Sequence, residues 1–131
     1  MKEGDRRELL EKAREALEFS YAPYSGLRVG AALLANGLTF LGANYECASY
    51  GLSICAERSA ILNANVSGAT DVEAVAVVSD KGPITPCGAC RQLIYEASMR
   101  CGRDIEVIFE SDEGIRVRKI SELLPEAFSE V

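Results

Sequence analysis

The chain has 131 residues, 14 basic against 20 acidic for a formal charge of −6, with 48% hydrophobic and 26% charged residues. That composition is ordinary for a soluble globular protein, and the length predicts one domain spanning 1–131, with no room for a second core. The acidity speaks against nucleic-acid binding, which draws its affinity from a Lys/Arg footprint, and no uncharged apolar run approaches the ~20 residues that span a bilayer.

The elements follow in chain order. Over 5–19, Leu9, Leu10, Ala13, Ala16 and Leu17 recur at helical spacing between charged residues, the pattern of an amphipathic helix on a core. Pro23 and Gly26 end it. Strands are predicted over 29–34 and 38–43, joined across Asn36-Gly37, since both residues tolerate the positive φ of a tight hairpin turn. The stretch 44–54 reads as loop, 55–65 as helix, and the β-branched run 72–79 as a buried strand. A loop over 81–86, a helix over 87–99, strands over 105–109 and 115–117 and a helical turn over 121–124 complete the chain. The order predicts an α/β fold: a three-layer α/β/α sandwich around a five-stranded mixed sheet. Strand–helix–strand–helix runs bring successive helix N-termini to one edge of a sheet, so Cys55 and Cys87, each at the start of a predicted helix, are expected to be neighbours.

The chain contains no histidine. Imidazole triads, His-ligated metals and imidazole acid–base schemes are thereby excluded. Proton transfer near neutral pH must fall to a carboxyl, Lys, Cys, Tyr or metal-activated water. Five cysteines, Cys47, Cys55, Cys87, Cys90 and Cys101, are present. Their odd number, behind a charged opening stretch unlike a secretory signal, argues for reduced thiols and a cytoplasmic address.

Two of the local patterns carry chemistry: Cys55-Ala56-Glu57-Arg58 and Pro86-Cys87-Gly88-Ala89-Cys90. Cys-x-x-Cys alone also occurs in redox sites and structural zinc ribbons. Cys-x-Glu followed some thirty residues later by Pro-Cys-x-x-Cys is far more specific: it is the pattern of the zinc deaminases, in which three cysteines are one accepted ligand set. Three thiolates leave one tetrahedral vertex of zinc for water, the mark of a catalytic site, and bound zinc lowers the pKa of water toward ~7. So much sulfur charge blunts the metal, and two helix N-termini, each roughly half a positive charge, offset it. Arg58 is a further candidate donor to the thiolates, as is Arg91 beside Cys90. Glu57 is the acid–base candidate. The rival reading is a closed structural site completed by Cys47, in a zinc-stapled module without activity.

The chain resembles the small homotetrameric zinc-dependent cytidine deaminases. The resemblance rests on YAPYSGLRVGAALL at 21–34, Asn44-Tyr45-Glu46, ASYGLSICAERSAI at 48–61, TPCGACRQ at 85–92 and ELLPEAF at 122–128. It implies that Cys55, Cys87 and Cys90 bind zinc and that Glu57 moves protons from the activated water to N3 of cytosine and then to the departing ammonia. It further implies that Asn44 and Glu46 hold the ribose hydroxyl, that the Ala56 backbone meets the base, and that Tyr50 and Phe128 reach a neighbouring subunit's site in a homotetramer. The implied reaction is hydrolysis of cytidine and deoxycytidine in pyrimidine salvage. Where the family carries a Phe against the pyrimidine this chain has Leu27, which keeps an apolar wall without the aromatic face. That departure motivates the alternative of a modified cytosine nucleoside as substrate.

Overall fold

The computed structural model describes residues 1–130, so Val131, the last residue of the expected domain, lies outside the described residues. Helix α1 spans Glu3–Ala16 and buries Leu9, Leu10, Ala13 and Ala16. It begins two residues earlier than the apolar stripe suggests, because the Lys2 amide donates to the Asp5 carboxylate at 3.3 Å and acidic residues suit a helix N-terminus. A single 3-10 turn, Leu17–Phe19, closes it.

Strands β1 (Val29–Ala35) and β2 (Leu38–Ala43) form the expected hairpin. Its turn residues, Asn36 and Gly37, have φ of 52° and 76°, both in the left-handed region that a two-residue turn demands. Helix α2 (Ala56–Val66), strand β3 (Val72–Ser79) and helix α3 (Gly88–Cys101) follow. Strands β4 (Glu106–Ser111) and β5 (Gly114–Lys119) and the short helix α4 (Ile120–Leu123) end the domain. β5 outruns its apolar core of Ile115 and Val117 because backbone pairing with β4 continues from Lys119 opposite Glu106 to Gly114 opposite Ser111.

The five strands lie in the order β2-β1-β3-β4-β5. Among the described strands only β3 and β4 pair in parallel; β1 is antiparallel to both β2 and β3. β2 and β3, flanking β1, therefore run the same way, and the helices that follow them, α2 and α3, start at the same edge of the sheet. Alternation along the strands divides the core in two. Ala31, Leu33, Val75, Val77 and Val107 pack with Ala60, Ala64 and Ile94 of α2 and α3. Ala32, Ala74, Ala76, Val78 and Ile108 pack under α1 against Leu9, Leu10 and Ala13. The result is the expected three layers.

The α1 layer packs on the face of the sheet opposite α2 and α3. Leu10→Ala is expected to lower unfolding stability by about 3 kcal/mol through the cavity it leaves. Urea unfolding checks the loss, with kcat of the folded variant unchanged. No helix among the described residues is long and apolar enough to cross a membrane.

Candidate active site

The segment after β2 is stitched to the residue before Cys55. Tyr45 exchanges backbone hydrogen bonds with Ile54 (3.0 and 2.9 Å), while the Tyr21 amide donates to the Asn44 carbonyl (3.0 Å) and the Glu46 amide to the Tyr21 carbonyl (2.8 Å). The Asn-x-Glu segment is thus held as a miniature ladder between the 20–29 loop and the start of α2.

Cys55 and Cys87 are the N-cap residues of α2 and α3, and Cys90 lies in the first turn of α3. The Sγ atoms of Cys55, Cys87 and Cys90 all lie within 4.8 Å of one another, with Cys55 and Cys87 at 4.0 Å. A tetrahedron with bonds of about 2.3 Å to sulfur has an edge of about 3.8 Å, so this spacing fits zinc. Among the described residues no fourth side chain belongs to the cluster, and Cys47 stands outside it. The closed four-cysteine staple therefore lacks its proposed fourth ligand. All five cysteines are free thiols.

The electrostatics call for a cation. The neighbouring Cys90 thiol, supplemented by Arg58, pulls the Cys55 thiol down to about 5. The same contact to Cys55, together with burial, pushes Cys90 well above the ordinary thiol range. Three crowded sulfurs cannot all shed their protons unless a positive ion compensates them. The Cys90 amide points at Cys87 Sγ (3.5 Å), a backbone donor already in place for a thiolate.

Glu57, in the first turn of α2, is only 4% exposed. Burial raises its carboxyl above the usual carboxylate range, and the nearby Cys55 thiolate pushes the same way. One guanidinium nitrogen of Arg58 donates to the Ser53 carbonyl (3.0 Å) and lies 3.9 Å from Cys55 Sγ. Arg91 is bonded elsewhere. Its guanidinium donates to the Pro86 carbonyl (2.8 Å) and the Leu123 carbonyl (2.9 Å), clamping the Cys87 loop to the end of α4. The pattern of adjacent residues could not show this, because Leu123 is brought to Arg91 only by the fold.

A cavity of about 280 Å³ is lined by Tyr24, Ser25, Glu46, Tyr50 and Ser53, the residue whose carbonyl accepts from Arg58. Its wall stops at Ser53, two residues before Cys55. The Glu46 carboxylate accepts from the Tyr24 and Ser25 amides (3.0 Å each) and from the Ser25 hydroxyl. These bonds, the hydroxyl's first, hold its pKa below the usual value. Asn44 is committed to the same loop: its Oδ1 accepts from the Val29 amide (2.9 Å) and the Ser20 hydroxyl, and its Nδ2 donates to the Leu27 carbonyl (2.8 Å). Both side chains therefore brace the 20–29 loop.

Of the residues expected to meet substrate, Glu46 and Tyr50 line the cavity, whereas Leu27, Asn44, Ala56 and Phe128 are not among its lining residues. Leu27 packs against the core on the α2 side, and Ala56 is fully buried at the start of α2. Phe128 is 79% exposed, its carbonyl tied to Gln92 at 2.9 Å.

Comparison with known proteins bears on the family of the chain. Residues 4–102 match the family model of the cytidine and deoxycytidylate deaminase zinc-binding region. The cytidine deaminase of Halalkalibacterium halodurans is 48% identical over 95% of both chains, and that of Sporosarcina psychrophila 41% over 95% of this chain and 92% of its own. Among solved structures, the cytidine deaminase from Burkholderia pseudomallei superposes with a TM-score of 0.82 at 43% identity, covering 98% of this chain and 100% of that one. The cytidine deaminase from Mycobacterium tuberculosis gives 0.84 at 34% identity, covering 95% and 98%. With the sulfur cluster, the buried glutamate and the layered sheet all present, the chain belongs to the cytidine and deoxycytidylate deaminase zinc-binding family.

Proposed function

We propose that this protein is a zinc-dependent cytidine deaminase, converting cytidine and deoxycytidine with water to uridine and deoxyuridine and ammonia. The observation that carries the reading is the convergence of Cys55, Cys87 and Cys90 on one point, with the carboxyl of Glu57 buried beside them. Zinc held by those three sulfurs supplies a water acidified toward neutral pH. Glu57, raised by burial, is suited to hold a proton, deliver it to N3 of the cytosine, and later deliver one to the departing amino nitrogen. Arg58 offsets sulfur charge from the side of Ser53. Glu46 holds the sugar hydroxyl in the cavity; Asn44, whose Nδ2 keeps one hydrogen beyond its bond to the Leu27 carbonyl, assists from outside the lining residues, as the Ala56 backbone and Leu27 do toward the base.

Nucleosides are favoured over nucleotides. The single charged group among the cavity's lining residues is the Glu46 carboxylate, with no Lys or Arg beside it to receive a phosphate. The full 131 residues act as one catalytic domain, placed in the cytoplasm and in pyrimidine salvage. The exposed Tyr50 and Phe128, 72% and 79% accessible, are offered to neighbouring subunits of a homotetramer, where they complete a partner copy's site.

The test is the loss of ultraviolet absorbance as cytidine becomes uridine, with and without a zinc chelator. Activity that the chelator abolishes is expected, and turnover indifferent to metal removal would overturn the reading. In the same assay, deoxycytidylate is expected to show a kcat/KM below that of deoxycytidine by a factor on the order of ten or more, because its phosphate meets a carboxylate. A strong preference for a bulkier cytosine nucleoside would instead assign the space beside Leu27 to a modified base.

A further inference from the structure

We propose that Gly42, on β2, is a positioning residue that sets the height of the Cys55–Glu57 helix start above the sheet. The inference rests on the reading of the three sulfurs as the metal set. A Cβ built at Gly42 would fall 2.3 Å from the Ala56 carbonyl oxygen, 2.4 Å from the Ala60 amide nitrogen and 2.9 Å from the Ala60 Cα. All three are backbone atoms of α2, so no side chain can swing aside. The first turn of α2 therefore lies directly on strand backbone at the one residue type that permits it. One turn further along, the Asn63 side chain donates to the Leu41 carbonyl at 3.1 Å, tying the same helix to the same strand.

The place of this contact gives it consequence. Two residues beyond Gly42 the chain reaches Asn44, and then Glu46, on the sugar side of the proposed site. The helix resting on Gly42 opens with Cys55, Ala56 and Glu57. The glycine is thus a second backbone contact between the two halves of the site, beside the Tyr45–Ile54 pair. A methyl group there must push α2 away by about 1 Å to reach ordinary contact, a displacement that can cost on the order of 10²-fold in rate when it moves catalytic groups. Because Cys87 and Cys90 stand on α3, such a shift also separates Cys55 from its two partners.

Gly30 supplies a matched control. A Cβ there would lie 2.1 Å from the Ala13 carbonyl oxygen, an equally severe clash, but against α1 on the other face of the sheet. The experiment compares Gly42→Ala and Gly30→Ala with the wild type. It measures bound zinc, the rate of zinc release to a colorimetric chelator, thermal unfolding, and kcat and KM for cytidine. Both variants are expected to melt earlier. Gly42→Ala alone is expected to release zinc roughly 10–100-fold faster and to lose kcat by a similar factor.

Equal zinc release and kcat in the two variants, or a Gly42→Ala protein within about twofold of wild type in both, would overturn the proposal. If Gly42→Ala does not fold, Asn63→Ala loosens the same seam more gently. Faster zinc release then supports the proposal and an unchanged rate overturns it. If Gly30→Ala does not fold, Leu10→Ala takes its place as the control under α1. A wild type without zinc removes the metal reading and this one together, whereas a zinc-bearing wild type with variants that release the ion equally removes only this one.

Discussion

Glu57→Gln is expected to yield a folded, zinc-loaded protein that deaminates cytidine about 10²–10⁴-fold more slowly. The substitution preserves shape and hydrogen-bonding reach at a position only 4% exposed, so the packing around α2 is not disturbed. Burying a carboxylate is costly and burying an amide less so, and thermal stability should hold or rise. What disappears is the capacity to accept and return a proton. Zinc content by elemental analysis, unfolding temperature and steady-state turnover together check the claim. Near-wild-type turnover in a zinc-loaded variant would remove Glu57 from the chemistry.

Cys87→Ser is expected to bring zinc content from about one ion per chain to near zero and to abolish turnover, because a serine hydroxyl is not deprotonated to ligate zinc at neutral pH. This cysteine separates metal loss from loss of fold unusually well. Its Sγ already accepts from the Cys90 amide as the N-cap of α3, and serine is among the best residues for that capping role. The start of the helix should therefore survive. In the presence of zinc the wild type is stabilised by binding. In its absence the wild type and the variant should melt within about a degree or two of each other, since capping substitutions of this kind shift stability only slightly. A variant that still holds stoichiometric zinc would mean that Cys87 is not a ligand.

The layers and the sulfur trio are legible in the sequence because their signals are local or modular. Asn36-Gly37 writes a hairpin into two adjacent residues, and each cysteine motif is written within one helix turn. Their meeting follows from β2 and β3 running the same way, although the sequence order suggests a more parallel sheet than the single β3–β4 pair observed. Other features are set by contacts between segments far apart in the chain. The bonds of Arg91 to Pro86 and Leu123 are one case, and the use of Asn44 and Glu46 to brace the 20–29 loop is another. Gly42 carried a readable sign, since a glycine inside a strand often marks close backbone approach. Which backbone approaches it only the packed structure tells.

Three reduced sulfurs within touching distance also make the metal-free chain vulnerable to air. Cys55 and Cys87, 4.0 Å apart, have to close by about 2 Å to join covalently under dioxygen, and the lowered proton affinity of Cys55 gives it the thiolate that begins such a reaction. The ion that equips this centre thus also acts as its protecting group. A sample stripped of metal and then left without reductant should lose the ability to be reconstituted as it ages, while one stored loaded should not.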